Sequence, residues 1–163
     1  MSITSIFETI TRRLAEAWRS DQPSGRGQSF RCQCGRPVYF HNSFCLGCKT
    51  ALGYEPGLAQ VQALEPGPSP GTWTLDGQNE AAPLWRRCAN FDSPAGCNWL
   101  VGADEEKTLC LSCRLNRMIP QLDDADNCRW WRLIENAKRR LVAQLLRLGL
   151  PVKSKVSEDP EHG

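Results

Sequence analysis

Residues 30–48 read FRCQCGRPVYFHNSFCLGC, and their four cysteines decide how the chain can fold. Cys32 and Cys34 form one close pair, ten residues follow, and Cys45 and Cys48 form the second. Two close pairs joined by a short strand-turn-strand can wrap one tetrahedral ion. Zn²⁺ suits four thiolates because it has no geometric preference of its own and is soft enough for sulfur. Each pair can form a tight turn whose backbone N–H groups donate to the sulfurs, and Gly35 allows the positive φ that such a turn needs. The one-residue gap in CQC departs from the commoner two-residue knuckle.

Working outward, a second set appears. Cys88 and Cys97 are separated by eight residues, and twelve more lead to Cys110 and Cys113 in CLSC. Sequential assignment closes shorter loops than exchange of ligands between sets, although interleaving satisfies the same count. A four-thiolate zinc has no open position for water, so two such ions are expected to be structural and to supply folding energy. A redox pair and a rubredoxin-like iron site are the other uses of such cysteines. Cys128 is left over and reads as a small packed residue.

Composition sets the frame. The chain has 163 residues, 40% of them hydrophobic, with nine cysteines and eleven prolines, which allows one ordinary domain or two small ones and little room for a large catalytic core. The start, MSITSIFETITRRLAEAWRS, lacks a long apolar run and does not read as a secretory signal. No stretch approaches about 18 consecutive apolar residues, so no membrane span is expected. A reducing, cytoplasmic setting follows, in which paired cysteines are metal ligands more often than disulfides. The net charge is only +2, but residues 129–155 carry eight Lys or Arg against the single acid Glu135. Such a basic helix is either a solvated face or a surface for phosphate or an acidic protein.

Five parts follow along the chain. Ile3, Ile6, Phe7, Ile10, Leu14 and Ala17 recur at helical steps, predicting an amphipathic helix within residues 1–20. Residues 21–29 read as a flexible linker, and residues 30–122 as the zinc-ribbon region. Inside it, Ala59, Val61 and Ala63 alternate with glutamines, and TWTL after EPGPSPG completes a β-hairpin. Residues 123–150 form the long carboxy-terminal helix, with Trp130, Ile134, Ala137, Leu141, Leu145 and Leu148 as its apolar stripe and Gly149 and Pro151 as its stop. Residues 151–163 read as an unpacked tail. The fold class is a small metal-stabilised α+β protein: zinc-ribbon β-hairpins, an amino-terminal helix and a long carboxy-terminal helix.

The phrases FRCQCGRPVYFHNSFCLGCKTALGYEP, RRCANFDSPAGCNWLV, CLSCRLNRMIPQL and AKRRLVAQLLRLGLPV resemble, in order, the amino-terminal zinc-ribbon region of the bacterial zinc-binding metallopeptidases. The likeness runs from about Phe30 to Val152 and carries all eight cysteines of the two sets. It implies that Phe40, Asn42, Asn90, Asn98 and Trp99 are ribbon-packing and turn residues. The family continues into a catalytic domain with an HExxH-type zinc motif. This chain has no such motif, and its histidines are His41 and His162 alone. A shortened chain or a stand-alone ribbon is therefore expected, noncatalytic as it stands.

Two residue groups invite sharper readings. His41 lies between the pairs of the first site, but four cysteines already saturate that ion, so it reads as a solvent-facing strand residue. Trp85, Trp99, Trp130 and Trp131 could stack on bases, or pack around ribbons short of aliphatic core. Two functions compete on this ground. One is a scaffold or recognition element for a catalytic domain or protein partner. The other is an independent module that binds nucleic acid or an acidic protein through Arg114, Arg117, Arg132, Arg139, Arg140 and Arg147.

Overall fold

The computed structural model describes residues 29–77 and 82–155, together with Glu8, Thr11 and Arg12. The amino-terminal helix expected within residues 1–20 lies outside the described residues, apart from those three.

The fold begins with strands β1 (Ser29–Arg31) and β2 (Pro37–Tyr39), paired antiparallel with Phe30 opposite Val38. Gly35 turns the chain between them at φ +79°, as the CQCG phrase predicts. The next turn has no glycine where it needs one, and Lys49 takes φ +64° instead.

A five-stranded antiparallel sheet follows, in the order β3 (Ala51–Glu55), β4 (Gln60–Pro66), β5 (Thr72–Leu75), β6 (Trp85–Arg87) and β7 (Leu100–Gly102). The predicted hairpin is β4 and β5, registered with Leu64 opposite Leu75 and Pro66 opposite Trp73. Alternation holds for part of the predicted run: Val61 and Ala63 are buried and Gln60 exposed, but Leu64 is buried as well and Ala59 lies in the preceding turn at φ +54°. The β3–β4 turn is held by Glu55, whose buried carboxylate accepts the N–H groups of Gly57 (2.8 Å) and Leu58.

The sheet curls until its first and last strands meet. Tyr54 of β3 bridges Trp99 in the parallel sense, and its N–H donates to the Asn98 carbonyl at 2.8 Å. The groups of Leu52 turned away from β4 are also used: its N–H reaches the Ser43 carbonyl at 2.9 Å, and its carbonyl accepts from Arg87 Nη1 at 3.2 Å. Gly53 is required here, because a Cβ would stand 2.5 Å from Leu100 Cδ2. Phe40, Tyr54 and Trp99 fill the junction, with ring centroids 4.7 Å and 4.8 Å apart in successive pairs.

Two helices complete the fold: α1 (Leu111–Arg114) and α2 (Ala125–Arg147). Asp124 caps α2 by accepting the Asn127 N–H at 2.9 Å. Gly149, at φ +64°, ends it in a Schellman turn, with Leu150 N–H on the Leu145 carbonyl.

The face that α2 buries is not its most apolar one. Trp131, Glu135, Arg139, Val142 and Ala143 point inward, whereas Trp130, Leu133, Ile134 and Leu141 are each more than half exposed. The apolar stripe read from the sequence thus runs outward over most of its length, and Trp130 is not a packing residue. Polar anchors decide the orientation: Lys138 donates to Asn116 Oδ1, and Arg139 donates to the Ala95 carbonyl. The carboxy-terminal segment also departs from expectation. Val152 packs on the core and the Ser154 hydroxyl donates to the Arg114 carbonyl at 2.7 Å, so residues up to Ser154 are not an unpacked tail.

Trp99 is fully buried at the junction of both sheet ends. Trp99→Ala is expected to destabilise the zinc-loaded protein by about 3–5 kcal/mol in urea unfolding. A loss under about 1 kcal/mol would show that the junction is not a keystone.

Candidate metal centres

The eight cysteines converge into two groups of four, Cys32/Cys34/Cys45/Cys48 and Cys88/Cys97/Cys110/Cys113, with the four sulfurs of each group within 4.8 Å of one another. The ligands are sequential, not interleaved. All nine cysteines are free thiols, and the closest pairs, 3.5 Å and 3.7 Å, lie far beyond a disulfide length of about 2.0 Å. A tetrahedral ion with Zn–S bonds of about 2.3 Å needs sulfurs about 3.8 Å apart. Cys34–Cys45 and Cys97–Cys110, each at 3.7 Å, match that edge.

Local structure explains the first site. Cys32 ends the β1 side of the Gly35 turn, where its N–H donates to the Arg36 carbonyl at 2.9 Å. Cys45 and Cys48 sit on the second turn, closed by Lys49 N–H to the Cys45 carbonyl at 2.9 Å. Backbone N–H groups point at the sulfurs: those of Cys48 and Gly47 lower the Cys45 pKa. Thr50 does the same for Cys48, first through its hydroxyl and then its N–H, bringing that thiol down to about 6. Burial pushes Cys32 up to about 12. Cys32 and Cys45 are buried, but Cys34 and Cys48 are exposed.

The second site is built from more distant pieces and is wholly buried. Cys88 follows β6, Cys97 precedes the Asn98–Trp99 junction, and Cys110 is the residue before α1, which carries Cys113. The Cys110 N–H donates to Cys88 Sγ at 3.3 Å. The four sulfurs share protons unequally: hydrogen bonds from Cys110 and Cys113 hold Cys88 low, while its bond with Cys113 drives Cys110 high. A divalent ion displaces those protons and removes the conflict.

Asn98 ties the two sites together. Its amide donates to the carbonyls of Phe40 (2.8 Å) and Asn42 (3.0 Å), both in the loop between the cysteine pairs of the first site. Asn42 in turn accepts the Tyr39 N–H at 2.7 Å, and the Asn90 carbonyl accepts the Cys97 N–H at 3.0 Å. These residues hold turns and brace the ribbons.

His41 joins neither sulfur group. It is no solvent-facing strand residue either: it lies half-buried in the turn after β2, where its Nε2 accepts from Arg140 Nε at 3.0 Å. Sequence reasoning missed Glu135. This acid is fully buried, with Oε2 4.0 Å from Cys113 Sγ and Oε1 2.6 Å from Lys138 Nζ. Its isolation among eight bases was the one available signal. Cys128 stays clear of both sites and donates to the Leu122 carbonyl at 3.0 Å.

These two closed four-cysteine centres on short β-hairpins define a zinc ribbon, and the chain belongs to the zinc-ribbon domain family, whose model matches residues 29–124. The chain is also 34% identical, over 137 residues, to uncharacterized proteins of Mycobacterium bovis and of two strains of Mycobacterium tuberculosis. That match covers 83% of this chain and 35% of each relative, so the chain spans about a third of the length of these curated relatives. No solved structure matches it.

The purified chain is expected to bind two zinc ions, both structural. Chelator challenge followed with a metal indicator should be biphasic, the exposed Cys34/Cys48 site releasing first. Cys110→Ser should leave one zinc per chain, held by the first site; loss of both would mean the sites do not fold separately.

Proposed function

We propose that the chain is a noncatalytic zinc-ribbon scaffold that presents the outer face of α2 to a larger protein partner. The observation that carries this reading is the inverted polarity of α2. Trp130, Leu133, Ile134 and Leu141 are 51–58% exposed along one side, while Glu135 and Arg139 are inside. An apolar stripe over about three helical turns is a docking surface when a partner covers it. The length of the mycobacterial relatives and the likeness to the amino-terminal region of zinc metallopeptidases favour a partner that belongs to the same kind of multidomain protein. In that setting the ribbons hold α2 rigid, and chemistry lies in the part that α2 contacts.

Against an extended nucleic-acid track stand two of its proposed residues. Arg139 is 1% exposed, and Arg114 is paired with Glu105 at 3.1 Å. Both proposed zinc centres are coordinatively closed, which gives no site for metal-activated water.

Residues outside the matched region of the Mycobacterium tuberculosis relative, expressed separately, should bind the zinc-loaded chain. Leu133→Glu combined with Ile134→Glu should weaken that binding at least about a hundredfold, in line with the loss of central interface anchors. Self-association through the same stripe, or binding indifferent to both substitutions, overturns the reading. Casein should remain uncut by the chain alone.

A further inference from the structure

The loop before Cys97, the turn carrying His41 and one side of α2 enclose a cleft of about 270 Å³, lined by His41, Ser43, Ala95, Gly96, Arg132 and Asn136. None of these residues belongs to the outer stripe or to either sulfur group, although Gly96 adjoins Cys97. The polar groups of the cleft are unequally committed. The Ser43 carbonyl is taken by the Leu52 N–H, and the Ala95 carbonyl by Arg139 Nη2 at 3.0 Å. Asn136 Oδ1 also accepts from Arg139, leaving its amide as a donor. What the walls still offer is mostly N–H and O–H.

His41 fits that pattern. Arg140 Nε–H donates to Nε2, so the neutral imidazole carries its proton on Nδ1, and Nδ1 is buried with no partner. Burial, then Arg140 and Arg139, lower its pKa to about 4, which keeps it a neutral donor at ordinary pH.

Charge points the same way. Arg132 leans over Gly96, its guanidinium 4.0 Å from where a Cβ would stand, and spends Nε on the Pro94 carbonyl at 3.0 Å. Arg139, 1% exposed, keeps Nε and Nη1 buried without partners. Among the described residues, none of Arg132, Arg139 and Arg140 is paired with a carboxylate; of the two acids on the same helix, Asp126 lies in the first turn and Glu135 is engaged by Lys138. A buried guanidinium lacking a counter-charge is costly unless an anion supplies one.

The geometry points to an oxyanion site in this cleft, selective for a phosphoryl group: Arg132 supplies charge from the lining and Arg140 from behind His41, whose Nε2 it holds, and His41 Nδ1–H, Ser43 Oγ–H and the Asn136 amide supply directed hydrogen bonds. Arg132 in the lining, with Arg139 bonded to Ala95 and Asn136 and Arg140 bonded to His41, makes the cleft positive enough to favour a dianion over a carboxylate. The site is compact, so it takes free phosphate or a phosphomonoester, not a run of backbone diesters. Zinc-thiolate charge offers Arg139 another counter-ion, but it leaves the buried His41 Nδ1–H without an acceptor.

The test is a titration of the full zinc-loaded chain with inorganic phosphate at constant ionic strength, followed by ¹H–¹⁵N NMR including the His41 imidazole. Saturable shifts are expected at His41, Ser43 and Gly96, with acetate at least about tenfold weaker. Arg132→Gln and Arg140→Gln, both at exposed positions, should each weaken phosphate about tenfold or more while two zincs remain, as loss of a charge-assisted bond requires. Arg129→Gln, outside the cleft, should change nothing. Glycerol phosphate matching or exceeding inorganic phosphate assigns the source to a phosphomonoester; the reverse assigns it to free phosphate. Diffuse, non-saturating shifts, equal response to acetate, or undiminished binding in both arginine variants overturns the proposal. So does steeply salt-dependent binding of a DNA duplex with no response to phosphate.

Discussion

Thiolate–metal bonding is the constraint on which the rest of the molecule depends. Six of the sixteen buried residues in the main core cluster are cysteines, so much of the interior is ligand and not packing hydrocarbon. A structural zinc contributes on the order of 10–16 kcal/mol of apparent binding energy, about the same as the entire stability of a typical domain, about 5–15 kcal/mol. Strands of three residues, such as β1, β6 and β7, cannot persist on their own, but they serve well as arms that carry sulfur.

Given two such centres, the remaining problem is to fix one against the other. Asn98 and Trp99 do this from a single dipeptide beside Cys97. The amide of Asn98 reaches the loop of the first site, and Trp99 stacks against Tyr54. The helix is then placed by polar anchors. Arg139 grips Ala95, Arg132 grips Pro94, and Glu135 with Lys138 meets the second site. Apolar contact alone would have allowed α2 to roll its stronger stripe inward; the bonds to the Ala95 and Pro94 carbonyls and the contact with the second site hold it in the observed orientation.

That dependence on particular bonds explains what was legible in the sequence. The cysteine sets, the β4–β5 hairpin and both ends of α2 are local matters of spacing, alternation and capping, and they are readable from a single chain. Periodicity reports that a helix has two faces, but not which one its surroundings want, so the direction of Trp130, Ile134 and Leu141 was out of reach. The same holds for His41, whose partner Arg140 lies 99 residues away. The burial of Ser154 depends on one carbonyl of α1, and no pattern around KSK announces it. The β6 and β7 additions to the sheet are equally silent: WRR and LVG are too short for alternation to register.

The pairing of β3 bears on how this protein can misassemble. A curled sheet normally leaves a lateral row of open N–H and C=O groups that templates the strand of another molecule. On β3 the groups of Leu52 and Tyr54 facing outward are already taken by Ser43, Arg87 and Asn98. Amyloid-like stacking and domain exchange therefore have little purchase along this side, even when the hairpins are crowded together at high concentration. For the same reason an extended peptide cannot lengthen the sheet here, and recognition by strand complementation is closed to this side of the fold.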